Sequence, residues 1–185
     1  LIAATTRIAM VSSPLRSRFS GGVFRLEFYT HQEIEKIVQR SAKILSIETE
    51  DSAIQEIAVR SRSTPRTANY LLKRCRDFAQ VKNMILSKKV VDEALVLIGI
   101  DQKGLTHSDR TILETIINKY NGGPVGLNTI AASLSEDQAT IEEFNEPYLI
   151  QLGFIERTPR GRTVTELGYK HLELQYPDEK KMLFN

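Results

Sequence analysis

The chain has 185 residues, 41% hydrophobic and 26% charged, which is room for one large domain or two to three small ones. Its net charge of +2 excludes a global basic field, so any nucleic-acid contact has to rest on local clusters. The single cysteine, Cys75, cannot close an internal disulfide and fits a reducing compartment, and no apolar run approaches the ~18 residues of a membrane span.

The chain opens on Leu1 and the apolar stretch "LIAATTRIAM", with no basic leader and no signal cleavage site. Residues 1–30 read as strand, loop, strand. "LIAATT" is short and apolar, "SSPLRSRFSGG" is rich in turn formers, and "VFRLEFY" alternates Val23, Arg25 and Glu27 with Phe24, Leu26 and Phe28. Two strands cannot bury a core alone. The expectation is a fragment that starts inside a larger domain.

Residues 30–99 read as four helices. Thr30 and Glu33 form a capping box ahead of Ile34, Ile37, Val38 and Leu45. The second helix carries Ala53, Ile54, Ile57 and Ala58. The third has Thr64 as N-cap, Pro65 at its first position, and a stripe of Ala68, Leu71, Leu72, Cys75 and Ala79, which makes the thiol a small core residue. The fourth follows Ser87, carries Val90, Val91, Ala94, Leu95 and Ile98, and stops at Gly99.

From residue 103 the pattern changes. Thr106 and Asp109 cap a helix that buries Ile112, Leu113, Ile116, Ile117 and Tyr120, and "NGGPVG" breaks it. A short helix follows, with Ile130, Ala131 and Leu134. Ser135 and Gln138 cap a third, with Ile141, Phe144, Tyr148 and Leu152 in register and a kink expected at Pro147. "GFIERT" and "GRTVTE", joined by "PRG", read as a hairpin. Three helices and a hairpin are the order of a winged helix. The tail "YPDEKKMLFN" is expected to fray.

A search for catalytic chemistry finds little. His31, His107 and His171 lie far apart without metal-ligand spacing, so each reads as a surface or partly buried side chain. There is no Gly-Lys-Ser/Thr to cradle a phosphate. Arginine remains. Between Arg60 and Lys89 stand nine basic residues against one acid, Asp77, and most of them read as a solvated helix face. Arg66 differs: it follows Pro65 in a first helical turn, where N–H groups and the dipole already favour an anion. The hairpin holds Arg157, Arg160 and Arg162 around Pro159 and Gly161. The helix before it carries Glu136, Asp137, Glu142, Glu143 and Glu146 and no base, a face that repels phosphate. Either the hairpin arginines are an exposed solubilising turn, or they grip a nucleic-acid backbone. The second reading is lost if the ribbon Gly153–Glu166 packs inward with its cations neutralised by the acidic helix.

The stretches "AATTR", "SSPLRSRF", "RLEFY", "STPRTANYLLKRCRDFA", "GGPVGL" and "EPYLIQLGFIERTPRGR" together resemble the RuvB family of Holliday-junction branch-migration motors, from about Ile2 to Leu172. That resemblance implies a mostly α chain in three parts: 1–30 as the end of a large AAA+ α/β ATPase domain, 31–101 as a small helical lid, and 103–185 as a winged-helix head. It implies a cytoplasmic, ATP- and Mg2+-dependent homohexamer that moves duplex DNA at Holliday junctions in recombination and repair, with RuvA and RuvC as partners. Thr6 resembles the polar sensor of the γ-phosphate. Arg18 resembles the arginine presented across the subunit boundary, with Arg16 the nearby alternative. Tyr29 resembles a residue lining the nucleotide, and Arg66 the second sensor. Arg157, Arg160 and Arg162 resemble the DNA-contacting arginines of the head. The P-loop half would lie upstream, so the fragment alone is expected to be inactive. Three departures stand out: Ala3 for the usual Gly, an extra residue in "RFSGGVF" just after Arg18, and Asn145 where apolar residues are common, expected to loosen packing near Pro147.

A competing class is a winged-helix DNA-binding regulator with a helical dimerisation region. It accounts for head and bundle without ATP, but not for "SPLRSRF". Another AAA+ protein with a winged helix, such as a clamp loader or initiator, fits "EPYLIQLGFIERTPRGR" less well.

Overall fold

The computed structural model describes residues 2–5 and 7–177. The start of the chain corrects the expectation of two strands. "SPLR" forms one helical turn, α1 (Ser13–Arg16), with a 3-10 turn at Ile8–Met10 before it, and residues 23–30 run without a ladder. A strand forms only where a neighbour takes its N–H and C=O groups. Among the described residues none lies alongside, so Phe24 and Leu26 stay 83% and 91% exposed.

The next four helices are α2 (His31–Ile44), α3 (Asp51–Val59), α4 (Pro65–Lys82) and α5 (Lys88–Leu97). The capping box forms as expected: Thr30 N donates to Glu33 Oε2 at 2.8 Å, and Glu33 N to Thr30 Oγ1 at 3.3 Å. The bonds from Thr30 to the Glu33 carboxylate, backbone first and hydroxyl second, hold that carboxyl below its ordinary range. Ile34, Val38, Ala53, Ile57, Ala68, Leu71, Leu72, Cys75, Val90 and Leu95 close one core. Burial pushes the Cys75 thiol up to about 12, so it stays protonated. Leu45 and Ile98 leave the core, because both fall just past a helix end. A parallel bridge between Thr49 and Leu86 ties the α2–α3 loop to the α4–α5 loop.

The second core is built from α6 (His107–Tyr120), α7 (Leu127–Leu134), a composite helix, and the antiparallel pair β1 (Ile155–Thr158) and β2 (Gly161–Val164), closed by α10 (Glu166–His171). The composite helix runs through α8 (Gln138–Thr140), a π-helical stretch at Ile141–Asn145, and α9 (Glu146–Gln151). Two expectations change here. The cap is Asp137, whose carboxylate accepts from Thr140 N at 3.1 Å, while Ser135 ends α7 in the left-handed region. The disturbance expected at Pro147 is a π-turn just before it. A π-turn adds a residue and rotates the rest of the helix by about 100° relative to a 3.6-residue turn. Phe144 therefore faces out at 64% exposure, and Asn145 and Glu146 turn in at 1% and 2%. The tail expected to fray falls largely on residues 178–185, outside the described residues.

Candidate nucleic-acid interface

The hairpin is held from three sides. Its register sets Arg157 opposite Arg162 and Thr158 opposite Gly161, which leaves Pro159 and Arg160 as a two-residue tip. Val125 adds a third, single-residue rung: its N donates to Arg162 O at 3.0 Å, and Arg162 N donates to Val125 O at 2.8 Å. Gly161 has φ +136°, and a Cβ there would stand 2.4 Å from Val125 O. The close backbone approach that this glycine permits is therefore to its own domain.

Two like charges directly opposite on a hairpin destabilise it unless a counter-charge intervenes. Glu146 supplies it. Arg157 donates from Nε and Nη2 to Glu146 Oε1 and Oε2 at 2.9 and 3.0 Å. Arg162 donates from the same two nitrogens to the same two oxygens at 3.0 and 3.1 Å. Burial pushes the Glu146 carboxyl up, but the hydrogen bonds from Arg157 and Arg162 outweigh it and hold the group below the usual carboxylate range. The same bonds raise Arg157.

Two of the three hairpin arginines are therefore ion-paired. Arg162, its side chain 17% exposed, is tied to the acidic helix. Arg157 is also tied, yet 52% exposed, with Glu142 at 3.9 Å. Arg160 is exposed at the tip and has no ion partner among the described residues. Two guanidiniums share Glu146 and one of them also reaches Glu142, which leaves the Arg160 guanidinium at the tip as the unmatched charge among the described ion pairs. Glu136, Asp137, Glu142 and Glu143 form the exposed acidic face that the sequence suggests, whereas Glu146 does not belong to it.

The residues expected at a nucleotide come from separate segments of the chain. Thr6 lies outside the described residues. Arg16 and Arg18 are exposed around the end of α1, Tyr29 is 45% exposed just before the α2 cap, and Arg66 is exposed in the first turn of α4. Among the described residues Arg16, Arg18 and Arg66 have no ion partner, and no member of the set bonds to another. Their guanidiniums remain open to an anion. No described group of three or more His, Cys, Asp and Glu side chains is placed to hold a metal. His171 bonds Asp101 at 2.8 Å and stacks on Phe154 with ring centroids 4.8 Å apart.

Sequence reasoning missed the arginines that face inward. Arg60, 3% exposed, bonds Glu56 through Nε at 2.9 Å and also pairs with Asp92. Arg62 pairs with the fully buried Asp109 of α6. Neither belongs to a solvated helix face. Asn145, expected to loosen packing near Pro147, is buried in the π-helical stretch: its Nδ2 donates to Asp109 Oδ1 at 2.8 Å, while its Oδ1 finds no partner among the described residues.

Comparison with known families decides what these two units are. The RuvB AAA lid domain matches residues 29–101, and the RuvB C-terminal winged helix domain matches residues 102–173. The chain belongs to the RuvB family. Among curated RuvB relatives, each named Holliday junction branch migration complex subunit RuvB, the protein from Dehalococcoides mccartyi is 53% identical over 181 residues, covering 97% of this chain and 52% of the relative. The one from Limosilactobacillus reuteri is also 53% identical, covering 97% of this chain and 53% of the relative. The solved Thermotoga maritima RuvB Holliday junction branch migration motor superposes with a TM-score of 0.85 at 49% identity, covering 91% of this chain and 57% of that one. The chain spans about half the length of the curated relatives it matches. The mostly helical fold, with a lid and a winged helix, is thus that of RuvB proteins.

Proposed function

We propose that this chain is the lid and head portion of an ATP-driven Holliday-junction branch-migration motor, and that its hairpin grips the duplex backbone. Residues 1–30 are the end of the large ATPase domain, 31–101 the lid and 103–185 the head. The carrying observation is the wing: Arg160, without an ion partner among the described residues, at a two-residue tip beside an Arg157 that is half exposed and oriented by Glu146. Guanidiniums placed this way bind phosphate and read little sequence. Arg160 and Arg157 make the first contacts, with Arg162 behind them.

Arg66, Tyr29 and Arg18 face nucleotide: Arg66 and Tyr29 in their own subunit, Arg18 in its neighbour within a homohexamer. The open guanidiniums of Arg18 and Arg66 suit a triphosphate. Bound Mg-ATP would supply the terminal phosphoanhydride bond whose cleavage, with transfer of the γ-phosphoryl group to water, drives the cycle. Arg18 provides positive charge at that group's oxygens, and Arg66 ties the lid to it. Thr6 senses the same group. RuvA presents the junction, and RuvC acts on the same DNA. The 185 residues hold no Gly-Lys-Ser/Thr, so alone they turn over no ATP. Fluorescence anisotropy with duplexes of unrelated sequence tests the DNA reading. Similar affinities that fall steeply with salt support it, and binding confined to one sequence, or none at low salt, rejects it.

A further inference from the structure

The α3–α4 turn, Arg60 to Thr64, lies in the lid but meets the head. Both Arg62 and Ser63 sit in the left-handed region, at φ +54°, which turns the Arg62 side chain out of the lid. Arg62 Nε donates to Gly104 O at 3.1 Å, and its Nη2 pairs with Asp109. The guanidinium lies 4.7 Å from the Tyr148 ring centroid and 5.6 Å from that of Phe144, over two aromatic rings of the composite helix.

Asp109 has no exposed surface, and Arg62 is only 13% exposed. Asp109 is also the box residue of α6, accepting from Thr106 N at 2.7 Å and Thr106 Oγ1 at 2.6 Å, and it accepts from Asn145 Nδ2. The next residue after Asn145 is Glu146, which holds Arg157 and Arg162. Contacts thus run without a gap from the lid turn to the wing.

The connecting segment is fastened at the same place. Tyr148 Oη donates to Lys103 O at 2.6 Å. Gly104 has φ +76°, and a Cβ on it would stand 2.5 Å from Arg60 O, so linker backbone lies directly against the turn. Arg60, paired with Glu56 and Asp92, anchors the turn to the rest of the lid. A linker between two small domains ordinarily leaves them free to swing; this one is clamped on both sides.

We infer that Arg62 is a positioning residue that locks the winged-helix head onto the lid, so that the first turn of α4 and the helix holding the wing move as one body. Arg66 lies four residues beyond Arg62 in that turn. If Arg66 faces nucleotide, as proposed above, a rotation of the lid reaches the wing undiminished. The mechanical lock stands apart from that reading and needs neither DNA nor ATP to be tested.

The test is a distance distribution in the 185-residue chain. Spin labels are placed at Lys73→Cys on α4 and Glu136→Cys beyond α7, both exposed sites; buried Cys75 escapes labelling. The parent is expected to give one narrow distance. Arg62→Ala is expected to broaden it. Because that change strands a buried carboxylate, the deciding variant is Arg62→Met with Asp109→Asn, which leaves no unpaired charge and keeps an oxygen for the α6 cap. The double variant is expected to keep its circular dichroism and cooperative melting, yet show a broad or multiple distance. A distance as narrow as the parent's in that folded variant overturns the inference.

Discussion

The turn at Arg60–Thr64 and the turn at Thr158–Gly161 are built from similar parts: arginines beside a proline, facing a buried carboxylate. They differ in the ratio of acids to bases. In the lid turn Arg60 has two carboxylates, Glu56 and Asp92, and Arg62 has Asp109 to itself. On the wing Arg157 and Arg162 share Glu146, Arg157 also has Glu142 at 3.9 Å, and Arg160 has none among the described residues, so three bases meet two acids. An arginine whose charge is matched inside the protein is structural; a surplus left at the surface is available to an outside anion. Composition alone does not separate the two, because both turns read as basic.

Removing a member of each turn should therefore have unequal effects. Arg60→Ala is the most damaging: it leaves Asp92 unpaired and Glu56 with Lys88 alone and should cost the lid about 3 kcal/mol, the low end for a buried pair because Glu56 keeps Lys88 and Asp92 is partly exposed. Urea denaturation followed by circular dichroism measures it, and a loss below the ~0.5 kcal/mol typical of surface changes contradicts the structural role of this turn. Glu146→Ala should destabilise the head by about 2 kcal/mol in the same measurement, since it leaves two guanidiniums face to face.

Acid sharpens the same point. Because the folded-state pKa of Glu146 is depressed, its contribution is present above the ordinary value of 4.5 and is lost as pH falls through the folded value. The stability gap between parent and Glu146→Gln should therefore be widest near neutrality and shrink below that ordinary value; a gap that grows on acidification contradicts the ion pairing. The mildest change in stability belongs to Arg160→Ala, within ~0.5 kcal/mol, and thermal melting checks it.

Much of the fold is legible in the sequence because it is local. The capping boxes at Thr30 and Thr106 and the stripe from Ala68 to Ala79 are set by spacings of three and four residues. The fates of the arginines are not, because their partners are remote: Asp92 is 32 residues from Arg60, and Asp109 is 47 from Arg62. Glu146 was readable in principle. A hairpin with a two-residue tip puts Arg157 opposite Arg162, and that pair demands a nearby acid. The π-turn hid it by rotating Asn145 and Glu146 inward, which a steady 3.6-residue count does not anticipate. The alternation of "VFRLEFY" has the period of a strand, but a strand needs a neighbour, and none is among the described residues.

The surplus charge of the wing, on our reading, grips duplex backbone. The salt dependence of duplex binding tests this, for the parent and for Arg157→Ala with Arg160→Ala, a pair that leaves the Arg162–Glu146 tie in place. We predict weaker binding and a log–log slope shallower by roughly one to two, about 0.9 for each phosphate no longer neutralised. An unchanged affinity and slope in the folded double variant would place any nucleic-acid contact elsewhere and overturn the wing's role.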